Sequence, residues 1–174
     1  GVGQASLFSL TTGSYNTAIG RGALLSTTTA DNNTAVGRNA MNVTTTGYDN
    51  VAVGRNSLDA NTEGHSNTAV GESSLTANTT GDRNVAIGQN AMAVNSTGSQ
   101  NVAIGRNALD ANTTADDNVA VGDGAATSNT TGTNNTAVGS LSLQDNQTGL
   151  ANTAIGHSAL GTQNFTNALN PYNV

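Results

Sequence analysis

The chain has no cysteine, no tryptophan, no lysine and a single proline, Pro171. Without cysteine there is no disulfide framework and no thiolate metal site, and the redox state of the compartment leaves no mark. Five arginines stand against 11 acids, a net charge of −6, which argues against nucleic acid as a partner because phosphate contacts need basic side chains. No apolar run approaches the roughly 18 residues that cross a bilayer, so no membrane insertion is expected. No signal peptide or initiator methionine opens the sequence, as in a mature chain or a fragment. Aromatics are 3% and apolar residues 35%, too few to fill one ordinary globular core over 174 residues. Charge, at 9%, is lower than in most disordered chains, as is proline content.

What is abundant is asparagine (26), threonine (27) and glycine (21), and they are periodic. The motif Asn-Thr/Val-Ala-Val/Ile-Gly recurs nine times at intervals of 17 without an insertion, with its asparagine at Asn16, Asn33, Asn50, Asn67, Asn84, Asn101, Asn118, Asn135 and Asn152. Counting that asparagine as position 1, position 3 is always alanine, position 4 valine or isoleucine and position 5 glycine. Position 8 is alanine or serine. Position 9 is leucine or methionine, with Ala126 the exception, positions 12–14 read Asn-Thr-Thr or similar, and position 15 is mostly glycine.

Positions 1–4, β-branched and closed by glycine, predict a strand, positions 5–7 a turn, positions 8–11 a second short strand and position 15 another turn. Each segment is too short and too glycine-broken for a helix. A 17-residue unit buries nothing alone, whereas stacked units do. The predicted fold is therefore all-β: a parallel β-solenoid (β-roll or β-helix) over residues 1–163, one repeat per coil and about ten coils, followed by a non-repeat segment, 164–174, that caps the rod or contacts another subunit. Stacking turns position 1 into an asparagine ladder, position 9 into a leucine and methionine core and position 4 into a valine and isoleucine ladder.

The first strand is restricted on both faces. Either Val/Ile at position 4 is inside and alanine faces out, or alanine is inside and a strip of Thr/Val and Val/Ile faces out. Either way the strand calls for another chain against it, unless repeat duplication alone fixed its composition.

The ends differ from the middle. Four of the five aromatics, Phe8, Tyr15, Phe165 and Tyr172, lie near the termini. The start within a repeat leaves an open edge, expected either of a cut from a longer protein or of end-to-end stacking.

Three surface patterns are candidate sites. Position 6 stacks Arg21, Arg38 and Arg55 in successive coils, a stripe for an anionic ligand or else a solvated edge balanced by acids. The tripeptide Asn-x-Ser/Thr places Asn78, Asn95, Asn112, Asn129 and Asn146 at position 12 of consecutive coils; these are glycosylation candidates if that corner meets water, and otherwise an asparagine ladder closing a turn. The threonine pairs at positions 13 and 14 could carry O-linked sugar. No catalytic set, calcium loop or phosphate loop is visible, so no enzyme activity, cofactor or metal is expected.

The run Asn-Thr-Ala-Val-Gly-x-x-Ala-Leu followed by Asn-Thr-Thr-Gly, with Val85-Ala86-Ile87-Gly88 and Val102-Ala103-Ile104-Gly105, resembles the head repeats of trimeric autotransporter adhesins and the related repeats of phage tail fibres and bacterial surface fibres. That resemblance implies left-handed winding, a homo-oligomer and an extracellular place, on a cell or virion surface. It implies a non-enzymatic structural and adhesive module of a fibre, a trimer holding a host-surface glycan or protein. The alternative is a self-assembling, glycosylated fibril subunit that stacks end to end.

Overall fold

A computed structural model describes residues 1–162; the segment 164–174 expected to cap the rod or contact a partner lies outside the described residues. The chain is an all-β solenoid. Nine strands of three residues, β1 (Thr17–Ile19), β2 (Thr34–Val36), β3 (Val51–Val53), β4 (Thr68–Val70), β5 (Val85–Ile87), β6 (Val102–Ile104), β7 (Val119–Val121), β8 (Thr136–Val138) and β9 (Thr153–Ile155), form one parallel sheet in chain order. Every pairing joins a residue to its equivalent 17 positions on, as in Ala86 with Ala103. Eight full turns separate β1 from β9, and a parallel bridge from Val2 to Ile19 adds a further rung at the start. The expected ten coils are thus these turns together with partial coils at the ends.

The strand is three residues long because of what bounds it. Position 5 glycines have φ between 123° and 142°, a region closed to side chains. A Cβ on Gly88 would also lie 2.5 Å from the carbonyl oxygen of Gly105 in the next coil. Coils therefore meet there backbone to backbone, and only glycine permits it.

The second strand expected at positions 8–11 is not formed; turns occupy that stretch. The reason is local. Positions 7 and 9 both take left-handed conformations, as at Asn107 (φ 56°) and Leu109 (φ 51°), and two such residues in three cannot stay extended. The backbone still pairs between coils: the Leu109 N–H donates to the Ala125 carbonyl at 3.0 Å and the Ala111 N–H to the Thr127 carbonyl at 3.0 Å. The position 15 glycines sit between bends, in the turn expected there. They lie outside the left-handed region, and their role is close approach, since a Cβ on Gly81 would sit 2.4 Å from Asn78 Oδ1.

The core is thin. Leu24, Met41, Leu58, Leu75, Met92, Leu109 and Leu143 at position 9 are fully buried, with Ala126 in the same column. Around them lie the position 3 alanines, the alanines and serines of position 8, and buried asparagines of positions 1 and 12. One large apolar side chain per coil suffices because hydrogen-bonded asparagine fills the remaining volume.

Candidate functional surfaces

The sheet fixes which way the strand faces. Alanine at position 3 is buried in all nine strands, while positions 2 and 4 point out. Of the two arrangements left open by the sequence, the outward strip is therefore the Thr/Val and Val/Ile one. All 18 of its residues are β-branched and none is charged. Val51, Val53, Ile87 and Ile104 are exposed at 37–38%, and Ile155 at 73%. At a strand spacing of about 4.8 Å the strip is roughly 40 Å long and about 10 Å wide, on the order of 400 Å².

The position 1 ladder is observed and has a direction. Oδ1 of each asparagine accepts the backbone N–H of the next, as Asn84 Oδ1 does from Asn101 at 3.0 Å. Its Nδ2 donates across the coil to the position 15 carbonyl, as Asn84 does to Gly98 at 2.8 Å. The same pair of bonds recurs at Asn33, Asn50, Asn67, Asn101, Asn118 and Asn135. Asn16 Oδ1 starts the series by accepting from Asn33, and Asn152 ends it by donating its N–H to Asn135 Oδ1.

The glycosylation candidates are corrected by their placement. Asn78, Asn95, Asn112, Asn129 and Asn146 are fully buried; the first four form a second ladder, and Asn146 bonds within its own turn to Gly149. Asn95 Nδ2, the atom a glycan would occupy, donates to Asn78 Oδ1 at 3.1 Å and to the Gly98 carbonyl at 3.0 Å. Asn112 and Asn129 repeat this bond to the coil before. A sugar there would have to open the coil. The threonine pairs also divide. Position 13 hydroxyls donate to the next coil's carbonyl, as Thr79 does to Ser96 at 3.0 Å, whereas position 14 residues such as Thr80, Thr97 and Thr114 are exposed.

Arg21, Arg38 and Arg55 do stack in one exposed column. Its next member is an acid: Arg55 pairs with Glu72, and further along Arg106 grips Asp123 through two bonds of 3.1 and 3.0 Å. The Arg106 side chain holds the Asp123 carboxyl below the usual carboxylate range. Arg21 and Arg38 make no ion pair among the described residues, so the basic stripe narrows to these two.

One cluster was missed at the sequence level. At position 16 the Tyr48 and His65 rings stack at 4.7 Å, and His65 Nε2 lies 3.0 Å from Asp82 Oδ2. Reading position 16 down its column (Asp31, Tyr48, His65, Asp82) would have found it. Among the described residues there is no group of three metal-ligating side chains and no pocket.

Together these surfaces define a β-solenoid of tandem 17-residue repeats. Comparison with family models, curated proteins and solved structures finds no match.

Proposed function

We propose that the chain is a non-enzymatic structural and adhesive module of an extracellular fibre, on a cell or virion surface, whose outward sheet face packs against other copies. The observation that carries this is the face itself: two columns of β-branched, uncharged residues, unbroken over nine strands. A soluble rod has no need of such uniformity on a wet face, where polar residues cost nothing. The absence of any cleft among the described residues fits a protein that works by surface and stiffness. The resemblance to adhesin and tail-fibre repeats supports the same reading.

The area sets the mode of contact. Roughly 400 Å² on one module is about half of the ~800 Å² per partner typical of a stable complex. Lateral contact between single modules is therefore weak, and it gains strength when many modules lie side by side, as avidity requires.

The test is sedimentation of the chain against a variant carrying Val53→Lys, Ile87→Lys and Ile104→Lys. Reversible, concentration-dependent lateral association that the lysines abolish, with circular dichroism unchanged, is expected. Association indifferent to the lysines, or none at millimolar concentration, would refute the proposed packing.

A further inference from the structure

The outward strip has margins of opposite charge. The strands are parallel and in register. Positions 16 and 17, which precede them, therefore line one margin of the strip, and position 6 lines the other. The first margin is acidic: Asp31 stands before β2, Asp49 before β3, and Asp116 with Asp117 before β7, all exposed. The second carries Arg21 after β1 and Arg38 after β2, both exposed. None of these six residues makes an ion pair among the described residues. Three of the carboxylates are held in place. Asp31 Oδ1 accepts the Ser14 N–H at 2.6 Å, Asp116 Oδ1 the Ser99 N–H at 2.7 Å, and Asp117 Oδ1 accepts from Gln100 Nε2 at 3.0 Å. Most other charges of the two margins have partners within the chain: Arg55 holds Glu72, Arg106 holds Asp123, and His65 lies against Asp82. Arg83, before β5, is the one arginine on the acidic margin.

Exposed charges of this kind add little to the stability of a single chain. Between chains they decide orientation, because opposite charges set side by side attract and like charges repel. Two rods can lay their sheet faces together in two ways. With the same polarity, the acidic margin of one runs along the basic margin of the other. Arg38 then lies level with Asp31 of the neighbouring copy and one coil, about 4.8 Å, from its Asp49. Arg21 lies one coil from Asp31, and Arg83 one coil from Glu72. Asp123, the one acid level with Asp116 and Asp117, is already gripped by Arg106. With opposite polarity, like margins meet. Full overlap carries β3 onto β7 and sets Asp49 against Asp116 and Asp117, while Arg38 meets the uncharged Ser140.

We infer that copies pack with the same polarity and in register, Arg21 and Arg38 of one rod meeting Asp31 and Asp49 of its neighbour. This rests on the lateral packing of the sheet face proposed above and supplies what the apolar strip lacks. Two columns of threonine, valine and isoleucine look alike from either end, so the strip accepts both directions; the margins select one. Equivalent coils of every copy then lie at one level, and a weak contact made by one coil is repeated side by side across the bundle.

Exchanging the margin charges tests this. Arg21→Asp with Arg38→Asp makes both margins acidic and should weaken self-association about tenfold. Asp31→Arg with Asp49→Arg should weaken it equally, although it brings the net charge nearer zero. A mixture of the two variants should associate more tightly than either alone. A chain carrying all four exchanges, which keeps the net charge of −6, should recover the association of the unmodified chain. Circular dichroism should be the same throughout. Polarity is read with a nitroxide on Asn134→Cys, the sole thiol in such a chain. Same polarity keeps the labels of neighbouring copies level, whereas reversal carries β8 onto β2 and sets them six coils, about 29 Å, apart along the axis. Association that ignores the exchanges, or that the Asp→Arg pair tightens, or labels offset by six coils, would overturn the inference. The lateral packing would survive any of these if the lysine variant still abolished it, whereas an unmodified chain that never associates removes both.

Discussion

At the scale of the residue, the stability of this protein rests on buried amides. Each position 1 asparagine satisfies two backbone groups that no strand reaches, the next coil's N–H and the position 15 carbonyl. Asn84→Ala leaves the Asn101 N–H buried with nothing in exchange and the Gly98 carbonyl with Asn95 Nδ2 alone, and should cost about 2 kcal/mol, read by chemical denaturation. The second ladder has a defect that can be repaired. Its first two members are threonines, and the Thr27 and Thr44 hydroxyls are buried without a partner. Thr44→Val should therefore stabilise the chain by about 1 kcal/mol. Thr44→Asn should match or exceed it, since its Oδ1 would lie beneath Asn61 Nδ2 in the pattern Asn61 and Asn78 already make. A melting temperature that falls in both variants would contradict the ladder account. Position 10 adds a pH response. Burial pushes the Asp59 and Asp110 carboxyls up, in Asp59 against hydrogen bonds from Asn42. The native state then holds these protons more tightly than the unfolded chain does. That contribution to stability is complete below the ordinary carboxylate value of about 4 and is lost as pH rises through the native value. Asp59→Asn with Asp110→Asn should raise the melting temperature at pH 7 and leave it nearly unchanged at pH 3, a small effect because both groups are half-exposed.

At the scale of the element, one strand and three left-handed residues make a coil. The strand was legible because its signals are local: β-branched residues around an alanine, closed by glycine. The turns were not. Leu109 and Arg83 hold φ of 51° and 55°, and nothing in a leucine or an arginine announces a conformation that costs roughly 1 kcal/mol or more. It is imposed by the closure of the coil and by bonds to neighbouring coils, so the expected second strand gave way to turns. The direction of the strand could not be read either, because alanine and valine both suit an interior. What decides it is room: Leu109 and its equivalents fill the thin core, and only alanine fits opposite. Glycine at position 5 is the least replaceable element. Gly88→Ala combines a forbidden φ of 132° with a Cβ 2.5 Å from a neighbouring carbonyl, and should cost about 3 kcal/mol. Arg83→Gly, exposed and left-handed, should be neutral or stabilising by up to about 1 kcal/mol. Both are read by thermal melting, and a reversed order would sink the explanation.

At the scale of the whole molecule, period and stacking were fully legible from the spacing of Asn16 to Asn152, since eight equal intervals leave one solution. The surfaces were only partly so. The tripeptide at Asn78 and its equivalents reads the same whether it faces water or core, and burial alone separates the two. The arginine column reads as a basic stripe until Glu72 and Asp123 are placed in it. The central claim is that seventeen residues make one turn and that equivalent residues rise in equal steps along a straight axis. Spin labels on the outward positions 17 and 153, eight turns apart, test it most directly by pulsed dipolar spectroscopy. A narrow distance distribution near 38 Å is expected, with the pair at 17 and 102 near 24 Å, both from a spacing of about 4.8 Å per coil. Broad distributions, or distances that fail to grow in proportion to the number of turns, would contradict the stacked column.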